Sequence, residues 1–394
     1  MILWLKHQPI NWRRLAQVVP FLALGAGMGL LAMWWERYHQ GTQGKLFALS
    51  LPERLLVASH GFWFYLGKLI WPVNLMFSYP RWTINPAAPS TCGWLVAAAG
   101  LGVVIFFFRR RVGRGVEAAM LFYVLTLSPL LGFIMLYTFL YSFVADHYQY
   151  VACIGPIALA AAGITKAFEI CGKGKPLLKP AFCGVLLLTL GSLTWRQCAM
   201  YADQETLWQT TLQRNPGSWM AHVNLGEFLA RAGRMDEAVS QWHQALLIKP
   251  DEAFACYDLG VAAAHAGRVE ASVAYYRQAL SFQPDLVKAC NKLAWVLATC
   301  PDPAFRNGPE ALVWARRANQ LAGGRDPAIL STLAAADAYN GQFAEAVAIT
   351  QRARQLAAGQ NDAALVNDLQ AQLKFYQANS TFRDLSLTNG PPAH

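Results

Sequence analysis

Charge is scarce in this sequence. Charged residues make up 14% of the 394 and hydrophobic residues 55%, a balance too apolar for an ordinary soluble domain. Acidic residues are nearly missing from the first half, where residues 1–199 hold 5 Asp+Glu against 17 Lys+Arg. Residues 200–394 hold 18 and 16. The formal net charge of +10 therefore comes from the apolar half. It is not the footprint of a nucleic-acid binder, since the second half has no basic stripe with interleaved aromatics. Basic residues beside long apolar runs are the habit of integral membrane proteins.

Motifs of catalysis are missing too. There is no Gly-rich phosphate loop, no Gly-x-Ser-x-Gly and no His-Glu-x-x-His, which removes phosphate cradles, nucleophile elbows and zinc proteases from consideration. Paired carboxylates occur only as Asp236-Glu237 and Asp251-Glu252, both at expected helix starts, where acidic groups suit the helix dipole. The eight cysteines form no Cys-x-x-Cys and no His pair has metal-ligand spacing. Most are expected to be small buried apolar residues. No catalytic residue, metal or cofactor is assigned.

What is present is a repeat. Leu225-Gly226 returns as Leu259-Gly260, Ala245-Leu246 as Ala279-Leu280, and Pro216, Pro250 and Pro284 mark the joints. Every offset is 34 residues, the signature of a tetratricopeptide repeat (TPR), a helix–turn–helix unit. Gly226 and Gly260 let paired helices approach, with Trp242 and Tyr276 filling the gap. Gly233 and Gly267 end the first helices, where a left-handed residue suits glycine. A third unit starts near Val287 with Leu293-Ala294, then an enlarged turn from Thr299 to Gly308. A fourth starts near Pro327 with Leu333-Ala334, and Ala364 to Gln377 is expected to cap the array. First-helix positions not used for stacking are Glu227, Arg231, Tyr257, His265, Lys288, Asn291 and Trp295. They are expected to line a groove for a protein or peptide partner, the alternative being a solvated face.

The first half divides into apolar spans. Leu15 to Trp35, Trp82 to Phe108, Ala118 to Ala145, Tyr148 to Thr165 and Pro180 to Trp195 are each expected to cross a bilayer. Lys6, Arg13 and Arg14, then Arg109 to Arg114, then Lys166 to Lys179 mark cytoplasmic ends by the positive-inside rule. That sequence of crossings leaves the repeats outside the cytoplasm. The segment from Arg54 to Trp71 is apolar but charged. Arg54, Ala58, Gly61, Tyr65 and Lys68 share one helical stripe. A re-entrant or interfacial helix facing a wet cavity is expected, and a sixth full span is the alternative.

Ionisable residues at a membrane face are functional candidates. Here these are Asp146 and His147 in Ser142 to Tyr150, and the outer loop Pro72 to Pro89 with Tyr79, Arg81 and Trp82. With Arg54, Lys68 and Tyr148 they form a candidate site for a membrane lipid or polyprenyl phosphate, because Arg matches phosphate oxygens. Interfacial anchoring is the competing account.

The order Tyr65-Leu66-Gly67-Lys68-Leu69-x-Trp71-Pro72-x-Asn74-Leu75, Tyr79-Pro80, Val144-Ala145-Asp146-His147-Tyr148-x-Tyr150 and Trp195-Arg196 before the repeats resembles membrane O-mannosyltransferase-like proteins with C-terminal TPRs. Those are polytopic GT-C glycosyltransferases that use polyprenyl-phosphate sugar donors. The resemblance covers about Arg13 to Gln377, the C-terminal part of such a protein. Its acidic catalytic motif lies upstream of anything here, and His147 stands where that family has Arg. The resemblance implies a bacterial inner-membrane protein with periplasmic repeats.

The combined expectation is an all-α chain. Residues 1–199 form a transmembrane domain of five spans plus a helix at 54–71, residues 200–377 form about four repeats with a cap, and residues 378–394 form a disordered tail. The function expected is a non-catalytic membrane scaffold of glycosyltransferase ancestry. The alternative is the C-terminal half, or a split subunit, of an active O-mannosyltransferase-like enzyme.

Overall fold

The structure, a computed structural model, describes residues 12–39, 42, 47–86, 88–171 and 176–388. Lys6, Lys173 and Lys175 of the expected basic flanks lie outside them. Among the described residues there are helices and turns and no strand. The chain divides into two compact units, Met1–Ser218 and Trp219–His394. Helix α7 (Gln204–Arg214), expected to lead into the repeats, is fastened to the first unit. Arg214 donates to the Leu75 carbonyl and Asn215 Nδ2 to the Ser78 carbonyl at 3.1 Å.

The first unit begins with α1 (Trp12–Tyr38), α2 (Leu51–Ile70) and α3 (Pro89–Val112). It continues through α4 (Arg114–Leu127), α5 (Ile154–Cys171) and α6 (Leu178–Cys198) to α7. Among the described residues four stretches are long and apolar enough to cross a membrane: Ala16–Tyr38, Thr91–Arg111, Ile154–Cys171 and Leu178–Tyr201. At most 6% of any of them is buried within the protein. Such surfaces are costly in water and natural in hydrocarbon.

The span expected over Ala118 to Ala145 is not a continuous helix. α4 ends at Leu127, and Ser128–Leu130 tightens into a 3₁₀ turn. Pro129 has no N–H to give a continuing helix, and Gly132 takes a left-handed φ of 95°. At 1.5 Å per residue α4 is about 21 Å long, short of a bilayer core of about 30 Å. It packs tightly on α5, where a Cβ on Gly155 would lie 2.5 Å from the Ala119 carbonyl oxygen. The stripe on α2 also differs from expectation. Ala58, Gly61 and Tyr65 are buried, and Gly61 sits under the Leu131 side chain. The stripe faces a packed core, because its middle residues are small or aromatic and only its ends carry charge.

The second unit is a run of helix hairpins. They are α8 (Trp219–Arg231) with α9 (Met235–Ile248), α10 (Ala253–His265) with α11 (Val269–Phe282), α12 (Val287–Thr299) with α13 (Gly308–Leu321), and α14 (Pro327–Tyr339) with α15 (Phe343–Gly359). Helix α16 (Ala363–Gln377) follows as the expected cap. The contacts within hairpins match the expected ones. A Cβ on Gly226 would meet Trp242 Nε1 at 2.5 Å, and one on Gly260 would meet Tyr276 Cε1 at 2.6 Å. Ala245, Ala279 and Ala318 are fully buried. Gly233 and Gly267 close their turns at φ 79° and 70°. The enlarged third turn contains a 3₁₀ turn at Pro303–Phe305, and Asn307 caps α13 through the Glu310 N–H.

Three of the eight cysteines, Cys256, Cys290 and Cys300, are buried in the array, whereas Cys92, Cys171 and Cys198 are exposed on α3, α5 and α6. Burial of most of them is thus an overestimate, since an exposed apolar helix surface also accommodates a small soft side chain.

The tail departs furthest from expectation. Of the tail at 378–394 expected to be disordered, residues 389–394 lie outside the described residues, and residues 378–388 fold back on α12. The Asp384 N–H donates to the Thr299 carbonyl at 3.0 Å, and Leu387 is buried in the main core of the array. The hydrophobic residues Phe382 and Leu387 give this polar-looking stretch something to bury, while Leu385 stays exposed.

The Gly260 contact generates a stability test. In residues 201–394, Gly260→Ala should lower stability by about 1–3 kcal/mol through overpacking. In a Tyr276→Leu background the loss should shrink, because the clashing ring is gone. Urea titration of the four proteins checks this.

Candidate functional site

Two groups of expected site residues can be traced, one in each unit. In the first unit the loop residues converge. Tyr79 donates its hydroxyl hydrogen to Asp146 Oδ1 at 2.7 Å, and the Tyr65 hydroxyl accepts from the Ala145 N–H at 3.0 Å. Tyr65, Tyr79 and Val144 are buried in one cluster, with Tyr148 packed against it. Tyr148 and Thr138 share a short hydroxyl contact. Burial raises the Asp146 carboxyl above its usual range, while the Tyr79 hydrogen bond and the positive charge of Lys68 oppose that rise. His147 is exposed, with its ring edge-on to Tyr148.

The cations expected to hold an anion are largely engaged with the main chain. Arg54 donates to the Leu49 carbonyl at 3.0 Å and to Phe133 at 2.9 Å. Lys68 donates to the Val73 carbonyl at 2.6 Å and to Asn74 at 3.4 Å. Asn74 itself takes a left-handed φ of 53°, so Lys68 holds a strained turn. Arg81 donates to the Phe139 carbonyl at 2.9 Å and lies over the Phe143 ring. The Leu49, Val73, Asn74 and Phe133 carbonyls lie outside the helices, and these side chains occupy them. Arg54 binds at the start of α2, away from the Lys68 end of that helix. No cluster of three or more His, Cys, Asp or Glu suited to a metal occurs among the described residues.

In the second unit the groove residues fall on three successive first helices. Glu227 and Arg231 on α8 pair with each other at 2.9 Å, both substantially exposed. Such a pair is worth a few tenths of a kcal/mol, about 0.3–0.5. Tyr257 on α10 is half-buried and its ring tilts onto Tyr276 at 6.0 Å. Its neighbour Asp258, which the sequence pattern did not single out, is pushed up to about 7. Burial is the main cause and Glu227 adds to it, against Lys288 and Arg231. These charges therefore share one electrostatic neighbourhood. His265 and Lys288 are exposed. Asn291 Oδ1 is buried without a partner, and Asn291 lines a cavity of about 380 Å³. Trp295 lines the same cavity, but its indole N–H is taken by Asp384 Oδ2 at 2.7 Å.

Asp337 is a second residue that sequence reasoning missed. Leu229, Ala263 and Leu297 stand four positions after Leu225, Leu259 and Leu293, each 2% exposed. Asp337 holds the matching place after Leu333 and is also 2% exposed. Its Oδ1 has no partner, and it borders a cavity of about 520 Å³ lined also by Arg316, Gln342 and Glu345. Burial pushes its carboxyl up to about 6. Aligning the repeats by register was the signal that could have exposed it.

Residues 201–254 and residues 255–286 each match the tetratricopeptide repeat. This stretch is a TPR array. The two matches leave residues 1–200 uncovered, so the glycosyltransferase resemblance gains no support from them. No protein of curated function matches the chain. Among solved structures the chain is similar to YrrB, described as a TPR protein with an unusual peptide-binding site, at 15% identity. That likeness covers 53% of this chain and 97% of YrrB, with a TM-score of 0.34. It is similar to TTC0263, a thermophilic TPR protein of Thermus thermophilus, at 19% identity, over 49% of this chain and 95% of the other, TM-score 0.33. It is also similar to MamA from Desulfovibrio magneticus RS-1 at 15% identity, over 41% and 95%, TM-score 0.31.

The two elevated carboxyls give a pH prediction. Their folded pKa values of about 6 and about 7 exceed the ordinary carboxylate value near 4. The folded array therefore binds more protons than the unfolded chain in between. Their contribution to stability is complete below about pH 4 and is lost as pH rises through 6 and 7. Asp337→Asn should thus gain stability relative to the parent as pH rises from about 4 to 7. Urea midpoints of both proteins across that range check the sign, and a constant difference would contradict it.

Proposed function

We propose that the chain is a membrane-anchored scaffold. Four apolar helices hold it in a bilayer, and its TPR array binds a peptide segment of a partner protein along the first-helix face. The observation that carries this reading is the polar and aromatic row on that face. Glu227, Arg231, Tyr257, Asp258, Lys288 and Asn291 are more polar than stacking needs. One of them, Asn291, has a buried side-chain oxygen without a partner, and burial raises the carboxyl of another, Asp258. A buried polar group without a partner costs about 1–3 kcal/mol, which a ligand bringing donors would recover.

The orientation proposed puts Arg109–Arg114 in the cytoplasm and the array outside, by the positive-inside rule. It requires α4 and the turns after it to carry the chain across, because α3 and α5 both end at basic clusters. A topology reporter fused after Gln197 should be active only on the non-cytoplasmic side. Activity confined to the cytoplasm would reverse the assignment.

A second reading keeps the glycosyltransferase resemblance, with the chain as part of a split enzyme and a polyprenyl phosphate near Asp146. The Tyr79–Asp146 hydrogen bond within the converged motif residues favours it. The engagement of Arg54, Lys68 and Arg81 with main-chain carbonyls weighs against an anion site there.

Photo-crosslinking in cells tests the scaffold reading. A crosslinking amino acid at Lys288 or Glu227 should yield a discrete protein adduct, and one at the exposed second-helix residue Leu247 should not. Equal adducts from both faces, or none from either, would contradict a groove partner.

A further inference from the structure

The C-terminal segment of the chain occupies part of the first-helix face, and its contacts are specific. The Phe382 ring meets Trp295 with centroids 6.0 Å apart and Phe375 at 5.8 Å. Two residues on, the Asp384 carboxylate accepts the Trp295 indole N–H at 2.7 Å, and its other oxygen accepts from the Ser386 N–H at 3.1 Å. The Asp384 main chain pairs with Thr299, and Arg383 Nη1 donates to the Ala298 carbonyl at 3.2 Å. Arg383 also lies over the Tyr339 ring at 5.3 Å. Leu387 closes the segment, 7% exposed in the core of the array.

The seat is not filled completely. The cavity of about 380 Å³ remains beside Phe382 and Asp384, bordered by Lys292, Ser331 and Gln372. The unpartnered Asn291 oxygen belongs to the same wall.

We infer that this segment is a built-in competitor for the partner. On this account the array recognises, in a partner chain, an extended segment with an aromatic residue followed two positions later by a carboxylate. The indole N–H of Trp295 reads the carboxylate. Trp295 and Phe375 hold the aromatic ring. The Thr299 carbonyl and its neighbour fix the strand direction. A partner binds only when the chain's own segment leaves, so the occupied fraction lowers apparent affinity in proportion. This deepens the scaffold reading and rests on it, since it names the chemistry of the peptide that the same face would take.

The test uses the full chain in detergent and a fluorescein-labelled peptide with the sequence of residues 378–388. Asp384→Ala removes the internal carboxylate without touching the seat. If the internal segment occupies the face nine-tenths of the time, the peptide should bind Asp384→Ala about tenfold more tightly than the parent chain. A peptide with Ala in place of its Phe should bind neither. Trp295→Phe keeps the packing and removes the N–H donor, so it should weaken the peptide on the Asp384→Ala background. Equal affinity for parent and Asp384→Ala, or no binding to either, would overturn the inference. Crosslinks from Lys288 that persist in that event would show that the scaffold reading stands without it. Their absence as well would end both.

Discussion

The repeat unit depends on one kind of contact, a small residue on a first helix pressed against an aromatic ring on the second. Gly226 against Trp242 and Gly260 against Tyr276 leave no room for a methyl group. That closeness fixes the distance within each hairpin, and fixed hairpins present their first helices side by side. Everything proposed for the face follows from this spacing. Glu227, Asp258 and Lys288 share an electrostatic neighbourhood because successive first helices are held near one another. In a stacked array each unit supports only its neighbours, so the aromatic contacts are repeated and not shared.

The same regularity makes the departures informative. Asp337 breaks the pattern set by Leu229, Ala263 and Leu297, and the result is a buried carboxyl beside a cavity. The helix accepts it because backbone contacts at the end of α14 are intact, with the Gln342 N–H donating to the Asp337 carbonyl at 2.9 Å. The tail is the second departure. It takes up the indole N–H of Trp295, and it leaves the α8 and α10 end of the face to its exposed charges.

Much of this was legible in the sequence where periodicity carried the information. The 34-residue offset gave the hairpins, their glycine turns and the enlarged third turn, because each position has one steric job. The apolar runs of α1, α3, α5 and α6 were equally plain. The break after Leu127 was harder, since Pro129 and Gly132 sit inside an uncharged stretch and hydropathy alone does not see a lost N–H. Among site residues, the sequence marked Tyr79 and Asp146, which do meet, and also Arg54, Lys68 and Arg81, which bond to carbonyls. Charge at a membrane face looks the same whether it awaits a ligand or satisfies a loop. The tail was misjudged for a related reason. Composition shows that residues 378–388 are polar and short, whereas their order comes from a distant partner, Trp295. Asp258 and Asp337 were missed because an isolated acid in a helix is ordinary until its burial is known.

The first-helix face is, on this account, a binding surface already engaged by the chain's own C-terminal segment. Hydrogen exchange on the full chain in lipid nanodiscs measures that most directly, because a protected amide needs a partner in the folded state. The Asp384 amide, bonded to the Thr299 carbonyl, should exchange far more slowly than an unstructured chain. It should lose that protection in Trp295→Phe while α10 and α11 keep theirs. Exchange of residues 382–387 at the unstructured rate in the parent chain would contradict the claim.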